Sequence, residues 1–357
     1  MLAGLSFQLQ LIVGFIAMFI LVFGAEKAVG KMVRIAAYYN IPDVVIAVSF
    51  ISIGTSLPEI ASHLTASIGI LTGSLDYEIA SATVLGANIG SDVVQQTLVV
   101  GIVILGTIVM NMLRSSELQG GITSNLGNTL QVARNTHFEF SKSFLKKDYF
   151  PMIGTTLMCI VLGWDGIYSR IDGLVLFGSF LGYMYYIYHT RSERLDTDTE
   201  ESTNIVQDLL IGIGAMAAVL ISAHVVLSVA ETVVARTGLG GSLIGVSTIG
   251  IVAALPEMMT ALSGVRHGAE GISLGTLIGS NITNPLVAIG GGAILSTYWV
   301  PRPLVLWDLP METVTAAMLL AYLLFVSDRK LGWKGGLYLV GLYVFYIVVR
   351  FTYFAAD

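Results

Sequence analysis

Residues 46–64, IAVSFISIGTSLPEIASHL, return 198 positions later as residues 244–262, IGVSTIGIVAALPEMMTAL. Ile46, Val48, Ser49, Ile51 and Ile53 match Ile244, Val246, Ser247, Ile249 and Ile251, and Leu57-Pro58-Glu59 matches Leu255-Pro256-Glu257. The same offset relates Gly14, Ala17 and Met18 to Gly212, Ala215 and Met216. The match resumes at Gly90-Ser91 and Gly279-Ser280, now 189 apart, so the second copy is nine residues shorter in the hairpin that follows. Apolar matches alone arise easily by chance between hydrophobic helices. Ionisable residues inside such segments are rare, and Leu-Pro-Glu twice in register argues for an internal repeat.

Composition agrees with a membrane setting. Of 357 residues, 55% are hydrophobic and 12% charged, with a net charge of −6. A soluble domain is about a quarter charged, and a disordered chain is poor in apolar residues, so both classes are excluded. No basic block of the kind nucleic-acid binding needs is present. The lone Cys159 rules out an internal disulfide and a thiolate metal cluster. The N-terminal run lacks a positive n-region and a cleavage site, and reads as a first membrane helix.

Hydrophobic segments near 7–30, 42–70, 78–110, 149–164, 168–188, 206–235, 240–266, 270–298, 310–327 and 334–354 predict an all-α membrane protein of ten spans. The first repeat then covers 1–110 (spans 1–3) and 149–188 (spans 4 and 5), interrupted by a polar loop over 111–148. A polar linker over 189–205 leads to 206–298 (spans 6–8) and 299–357 (spans 9 and 10). With the N-terminus on one side, 14 of 18 Lys and Arg fall on the opposite side. Positive loops stay in the cytoplasm. Both termini are therefore expected outside a cell membrane, with loops 111–148 and 189–205 inside. Five spans per repeat means that the second copy enters the bilayer inverted, and inverted repeats place a site at mid-membrane between broken helices.

The repeated motif supplies that site's chemistry. Pro58 has no N–H, so the carbonyl of Gly54 loses its helical partner. Pro256 does the same to Val252. A freed carbonyl in hydrocarbon costs several kcal/mol unless something satisfies it, and a cation can. Glu59 and Glu257 stand one residue past each break, and together they make an all-oxygen site of charge −2 suited to hard cations such as Ca²⁺ and Na⁺. Ser91 and Gln95 share one helical face, as do Ser280 and Asn284. Interhelical hydrogen bonding alone is the plainer reading of these four. Asp92 sits about 100° round the helix from Ser91, which leaves pairing and site membership open. Gly86, Gly90, Gly275 and Gly279 form small-xxx-small pairs that permit close helix approach. His63, one turn beyond Glu59, reads first as a packing histidine and second as a proton relay. Glu26 and His224 occupy equivalent repeat positions and suit a boundary or gate. The four tryptophans, Trp164, Trp299, Trp307 and Trp333, fall near span ends and read as interface anchors.

These residues give the chain a resemblance to the cation/calcium exchanger superfamily, most closely its prokaryotic sodium/calcium exchanger branch. The motifs that carry it are Gly54-Thr55-Ser56-Leu57-Pro58-Glu59 with Leu85-Gly86-Ala87-Asn88-Ile89-Gly90-Ser91, and Ala253-Ala254-Leu255-Pro256-Glu257 with Leu274-Gly275-Thr276-Leu277-Ile278-Gly279-Ser280-Asn281. The resemblance implies that Glu59 and Glu257 bind Ca²⁺, that Thr55 and Ala253 offer backbone carbonyls, and that Ser52, Ser56, Ser91 and Ser280 serve flanking sodium sites. It implies a sliding pair formed by spans 1 and 6. Ala253-Ala254 replaces the family's usual Thr-Ser, Asn284 stands where many relatives have Asp, and Gln95 where they have Asn.

The expected activity is export of Ca²⁺ in exchange for Na⁺ by alternating access. Ca²⁺/H⁺ exchange is the runner-up, favoured by His63 and the missing hydroxyl at Ala254. A cation channel is a third class. No intramembrane protease or zinc pattern is present, so an enzyme is not expected. The expected partners are Ca²⁺, Na⁺ (or H⁺) and lipid, with no cofactor, in a monomer.

Overall fold

A computed structural model describes residues 5–38, 56–118, 137–140, 142–190, 204–266 and 270–357. Ser52 and Thr55, the first half of the expected span 42–70 and most of the loop 111–148 lie outside these residues. The described chain is mostly helical. Helix α1 (Phe7–Tyr38) pairs lengthwise with α7 (Ile205–Thr237). Between them come α2 (Leu57–Thr72), α3 (Tyr77–Val94), α4 (Val100–Leu118), α5 (Phe150–Leu162) and α6 (Arg170–Thr190). After α7 follow α8 (Gly241–Ile244), α9 (Gly250–Ala253), α10 (Leu255–Arg266), α11 (Glu270–Thr283), α12 (Gly290–Ser296), α13 (Leu309–Phe325) and α14 (Trp333–Tyr353).

Seven helices among the described residues are long and apolar enough to cross a membrane: Phe7–Ala28, Tyr77–Met112, Ile205–Thr237, Gly241–Met259, Leu277–Ser296, Leu304–Phe325 and Trp333–Tyr353. Their outer faces are apolar. On α1, Ile12, Phe15, Ile16 and Phe23 are each more than half exposed, which suits lipid and not water.

Local signals explain where the helices begin and turn. Asp76 caps α3 by accepting from Ile79 N at 2.9 Å, and Asn204 caps α7 by accepting from Gln207 N at 3.1 Å. Gly73 ends α2 with φ 70°, a left-handed conformation that Gly adopts without strain. Several helices pass through a wider i→i+5 turn without breaking. These turns are Gln95–Val99, Leu145–Tyr149, Gly245–Ile249, Asn284–Ile289 and Leu304–Asp308. Those starting at Gln95 and Asn284 fall at equivalent repeat positions. Those at Leu145 and Leu304 each lead into a Pro-Met pair, Pro151-Met152 and Pro310-Met311.

The elements differ from the sequence expectation in three ways. Helix α1 runs on to Tyr38, past the predicted end near 30, and α4 runs to Leu118. In α1 the extension carries Lys31, whose Nζ lies 2.5 Å from Asp208 of α7. The span predicted from 310 has a helical start at Leu304. The fold is also not purely helical, for four two-residue strands form two antiparallel pairs. Strand β1 (Phe138–Glu139) pairs with β4 (Lys330–Leu331), and β2 (Ile167–Tyr168) pairs with β3 (Tyr298–Trp299). Phe138, Leu331, Tyr168 and Tyr298 are all buried, so apolar loop residues draw these segments onto the core. The predicted loop 111–148 is therefore partly docked structure.

Contacts between connecting segments sort into two ends. At one end Arg236 lies 4.7 Å over the Phe7 ring and Asp76 N donates to Glu231 Oε1 at 2.6 Å. There too Tyr77 reaches Thr297, β2 meets β3, and Gly240 N donates to Ala355 O. At the other end Lys31 meets Asp208 and β1 meets β4.

One close crossing sets the centre of the fold. A Cβ added at Gly86 would fall on the Ser242 carbonyl oxygen, and one at Gly90 on Val246 Cα. Reciprocally, a Cβ at Gly245 would fall on Thr83 O, and at Gly250 on Ala87 O and Ser91 N. Helix α3 and the α8–α9 segment thus touch backbone to backbone, as small-xxx-small patterns permit. Gly86→Val should destabilise the protein by about 1–3 kcal/mol or more, because backbone cannot move aside as a side chain can. A lower Tm in detergent checks this, and an unchanged Tm contradicts it.

Candidate functional site

The two Leu-Pro-Glu motifs start their helices from nearly the same backbone conformation. Ser56 (φ −83°, ψ 6°) precedes α2, and Ala254 (φ −75°, ψ −4°), its repeat equivalent, separates α9 from α10. Each restarts a helix in the same way: Ile60 N donates to Ser56 O at 3.0 Å and Met258 N to Ala254 O at 3.1 Å. A proline in the first turn fits because its missing N–H has no partner to lose there. Pro256 removes the N–H that would bond the Val252 carbonyl in a continuous helix, and that carbonyl accepts a backbone N–H at the end of α9 instead.

Both glutamates are buried, Glu59 3% and Glu257 0% exposed. Glu59 Oε1 accepts from Ser91 Oγ at 2.9 Å. Ser91 Oγ accepts from Gln95 Nε2 at 3.0 Å, and Gln95 Oε1 accepts from Ser280 Oγ at 3.0 Å. This chain joins residues of the first copy to a residue of the second. Glu59 Oε2 and both oxygens of Glu257 are buried without a hydrogen-bond partner among the described residues. The two carboxylates are close enough to repel each other electrostatically. Ser56 Oγ is buried and unpartnered too, and Ala253 is buried at the end of α9. Nine of the eleven sequence-predicted site residues are described; hydrogen bonds join Glu59, Ser91, Gln95 and Ser280 in one chain and Asp92 to Asn284. Ser52 and Thr55 lie outside the described residues. Among the described residues no three His, Cys, Asp or Glu side chains converge as a metal cluster. An ion here would draw on hydroxyl, amide and carbonyl oxygens as well as carboxylates.

Asp92 and Asn284 occupy a second rail. Asn284 Nδ2 donates to Asp92 Oδ1 at 2.7 Å, and Asn281 Nδ2 to the Asp92 carbonyl at 3.3 Å. One turn on, Gln96 Nε2 donates to Glu312 Oε1 at 3.0 Å. Gln96 and Glu312 escaped the sequence reading. The available signal was a carboxylate two residues after Pro310 inside an apolar run, much like Pro58-Glu59.

The other singled-out residues are placed plainly. His63 Nδ1 lies 3.1 Å from Tyr298 Oη, which donates back to His63 O at 3.0 Å and also bonds Ser67 Oγ. His63 is thus built into packing. Glu26 is exposed and His224 half-buried. Trp164 and Trp333 are exposed as anchors would be, whereas Trp307 stacks on Tyr346 and Phe354.

Comparisons with known proteins identify the family and the fold. The family model described as sodium/calcium exchanger protein matches residues 9–189 and 208–352. Relatives include the uncharacterized membrane protein MJ0091 of Methanocaldococcus jannaschii, 27% identical over 92% of this chain and 94% of that protein. The sodium/calcium exchanger MaX1 of Methanosarcina acetivorans is 24% identical over 93% of this chain and 95% of that one. Among solved structures, the sodium-calcium exchanger NCX_Mj aligns with TM-score 0.57 at 21% identity, covering 98% of this chain and 100% of that one. The H⁺/Ca²⁺ exchanger CAX aligns with TM-score 0.70 at 16% identity, covering 96% of this chain and 82% of that one. The two structural likenesses describe fold.

Gln95 is the side chain that links the Ser91 and Ser280 hydroxyls across the repeats. Gln95→Leu removes both bonds inside a buried site and should cost about 1–3 kcal/mol. Thermal unfolding in detergent reads the effect, and a Tm equal to wild type would contradict the linkage.

Proposed function

The chain belongs to the sodium/calcium exchanger protein family, and we propose that it is a secondary antiporter that exports Ca²⁺ in exchange for Na⁺ at a site shared by Glu59 and Glu257. It is a multi-pass membrane protein of a transporter family, not of an enzyme family. The observation that carries the reading is the pair of buried carboxylates with three oxygens lacking a hydrogen-bond donor. Such a pair demands positive charge, because an uncompensated buried carboxylate is costly. No Lys or Arg hydrogen-bonds to either glutamate among the described residues. A Ca²⁺ ion neutralises both and takes oxygen ligands. Ser91, Gln95, Ser280, Asn284 and the carbonyls near Thr55 and Ala253 complete its surroundings. Ser52 and Ser56 suit flanking sodium positions.

Ten crossings in two inverted halves account for several observations together. Segments expected on one side of the membrane meet only segments expected on that side. The residues before α1, after α2, after α5, after α7, after α12 and after α14 gather at one end. The α1 end meets the α7 start, and the segment after α4 meets that after α13, at the other. The β1–β4 and β2–β3 pairs are images of each other under exchange of the halves. So are Tyr183 Oη–Asp148 Oδ1 (3.1 Å) and Tyr346 Oη–Asp308 Oδ1 (2.7 Å). The end bearing Lys31, Arg329 and Lys330 would face the cytoplasm. Helices α2, α5 and α6 would be the three further crossings; α2 and α5 are short, with 16 and 13 residues.

Motion of α1 with α7 fits their packing. They meet over small residues, Gly14 against Val229 and Gly24 against Val219. Two small clusters, one around Ala17, Met18 and Ile249 and one around Leu21, Ala61 and Ala223, join them to the rest, with Leu227 reaching the main core. Proton coupling is the second reading, favoured by Ala254, which offers no hydroxyl where Ser56 offers one in the first half. His63 does not favour it, being bound to Tyr298.

Purified protein in liposomes tests the proposal. Ca²⁺ flux should follow an imposed Na⁺ gradient, and flux that follows only a pH gradient would replace Na⁺ by H⁺. Glu59→Gln and Glu257→Gln should each cut flux at least about 100-fold, the upper end of what outer-shell changes cost a metal site, with the protein still monodisperse. Near-normal flux in either variant contradicts the site.

A further inference from the structure

The hairpin between α2 and α3 is where the first copy of the repeat runs nine residues longer than the second, and the central site does not use it. It is a firmly built turn. Gly73 takes φ 70°, and Ser74 N and Leu75 N both donate to Gly69 O, at 2.9 and 3.2 Å. Leu75 is buried and packs on Gly69. The turn therefore holds Asp76 in a fixed position at the start of α3, the helix that carries Ser91 and Gln95.

Asp76 leaves one cap bond unmade within its own helix. Its side chain accepts from Ile79 N. In a capping box the residue three places on is Glu or Gln, and it returns a bond to the N–H of the cap residue itself. Here that residue is Ile79, whose side chain has no acceptor. The missing bond comes from another helix: Asp76 N donates to Glu231 Oε1 of α7 at 2.6 Å. A carboxylate suits the positive end of a helix, and a hydrogen bond with one ionised partner is stronger than a neutral one. Glu231 is half-buried, and α7 packs along α2 beside it. The repeat equivalent of Glu231, 198 positions earlier, is Val33 of α1, which carries no acceptor. The same bond therefore cannot form from that position in the other half.

We propose that Glu231 is a positioning residue for the transport cycle: it completes the cap of α3 from α7, and so latches α7 onto the α2–α3 hairpin in one of the conformations that the protein visits. A bond between two elements that move apart has to break during the cycle. Because Val33 cannot make the matching bond, the two conformations differ by this contact, and its strength biases the equilibrium between them. The proposal rests on the antiport reading at one point, the motion of α7 relative to α3. The latch itself stands on the geometry of Asp76, Ile79 and Glu231.

Distances between spin labels on the purified full chain test it, with Ser74→Cys marking the hairpin and Ala235→Cys marking α7. Both positions are exposed, and Cys159, the one native cysteine, is buried. Glu231→Ala removes the acceptor. Ile79→Gln offers Asp76 N a partner within α3 and so releases Glu231 without altering α7. Each should raise the ratio of long to short distances at least about fivefold, the weight of one partly exposed charge-assisted bond. Glu231→Gln keeps an oxygen acceptor without the charge and should fall between wild type and Glu231→Ala. If one variant is not monodisperse, the others decide. A merely structural role predicts a lower Tm for Glu231→Ala with wild-type distances, and that result overturns the proposal. So do distances unchanged in every folded variant. The distances are read without ion flux, which keeps the two readings apart. Near-normal flux in Glu59→Gln would defeat the central site and leave a shifted distance ratio standing. Unchanged distances would defeat the latch and leave the central site standing.

Discussion

A carboxylate held away from water must find positive charge, and in this protein the side chains supply it to some acids and withhold it from others. Arg350 and Lys31 answer Asp308 and Asp208 near the ends of their helices. Glu59 accepts from one hydroxyl and Glu257 has no hydrogen-bond partner, and neither has a basic partner among the described residues. A dehydrated carboxylate without a counter-charge is unstable unless a cation or a proton neutralises it. The rest of the architecture serves to hold that arrangement.

Two devices hold it. In each half Leu-Pro-Glu starts a helix one residue before the proline, after a residue with nearly the same backbone angles, Ser56 and Ala254, and carries the carboxylate into the first turn. Glycines let α3 lie directly on the α8–α9 backbone, and on α3 Ser91 and Gln95 reach Glu59 of α2 and Ser280 of α11. A side chain at Gly86 or Gly245 would force α3 and the α8–α9 segment apart. The wide turn Gly245–Ile249 falls at this same crossing, and such turns recur at functional sites.

Much of this was readable in the sequence because it repeats. The matched Leu-Pro-Glu motifs marked both helix starts and both buried glutamates, and the glycine spacing of α3 foretold close packing. What escaped lacked a periodic or repeated signal. Two-residue strands show no alternation, and β1–β4 and β2–β3 pair residues 130 or more positions apart. Glu312 sits outside the matched stretch, and only the three-dimensional approach of α13 to Gln96 gives it meaning. The run of α1 to Tyr38 was missed because Lys27, Lys31 and Arg34 look like a loop, whereas Lys31 is held by Asp208. His63 reads either way in sequence, and Tyr298, 235 residues away, decides for packing.

The central claim is that one dehydrated Ca²⁺ is gripped by an acid from each half. Anomalous diffraction from crystals grown with Sr²⁺ in place of Ca²⁺ tests it most directly. One strong peak per chain is predicted between Glu59 and Glu257, within bonding distance of an oxygen from each. A peak bound to one glutamate alone, or lying elsewhere in the chain, would contradict the account.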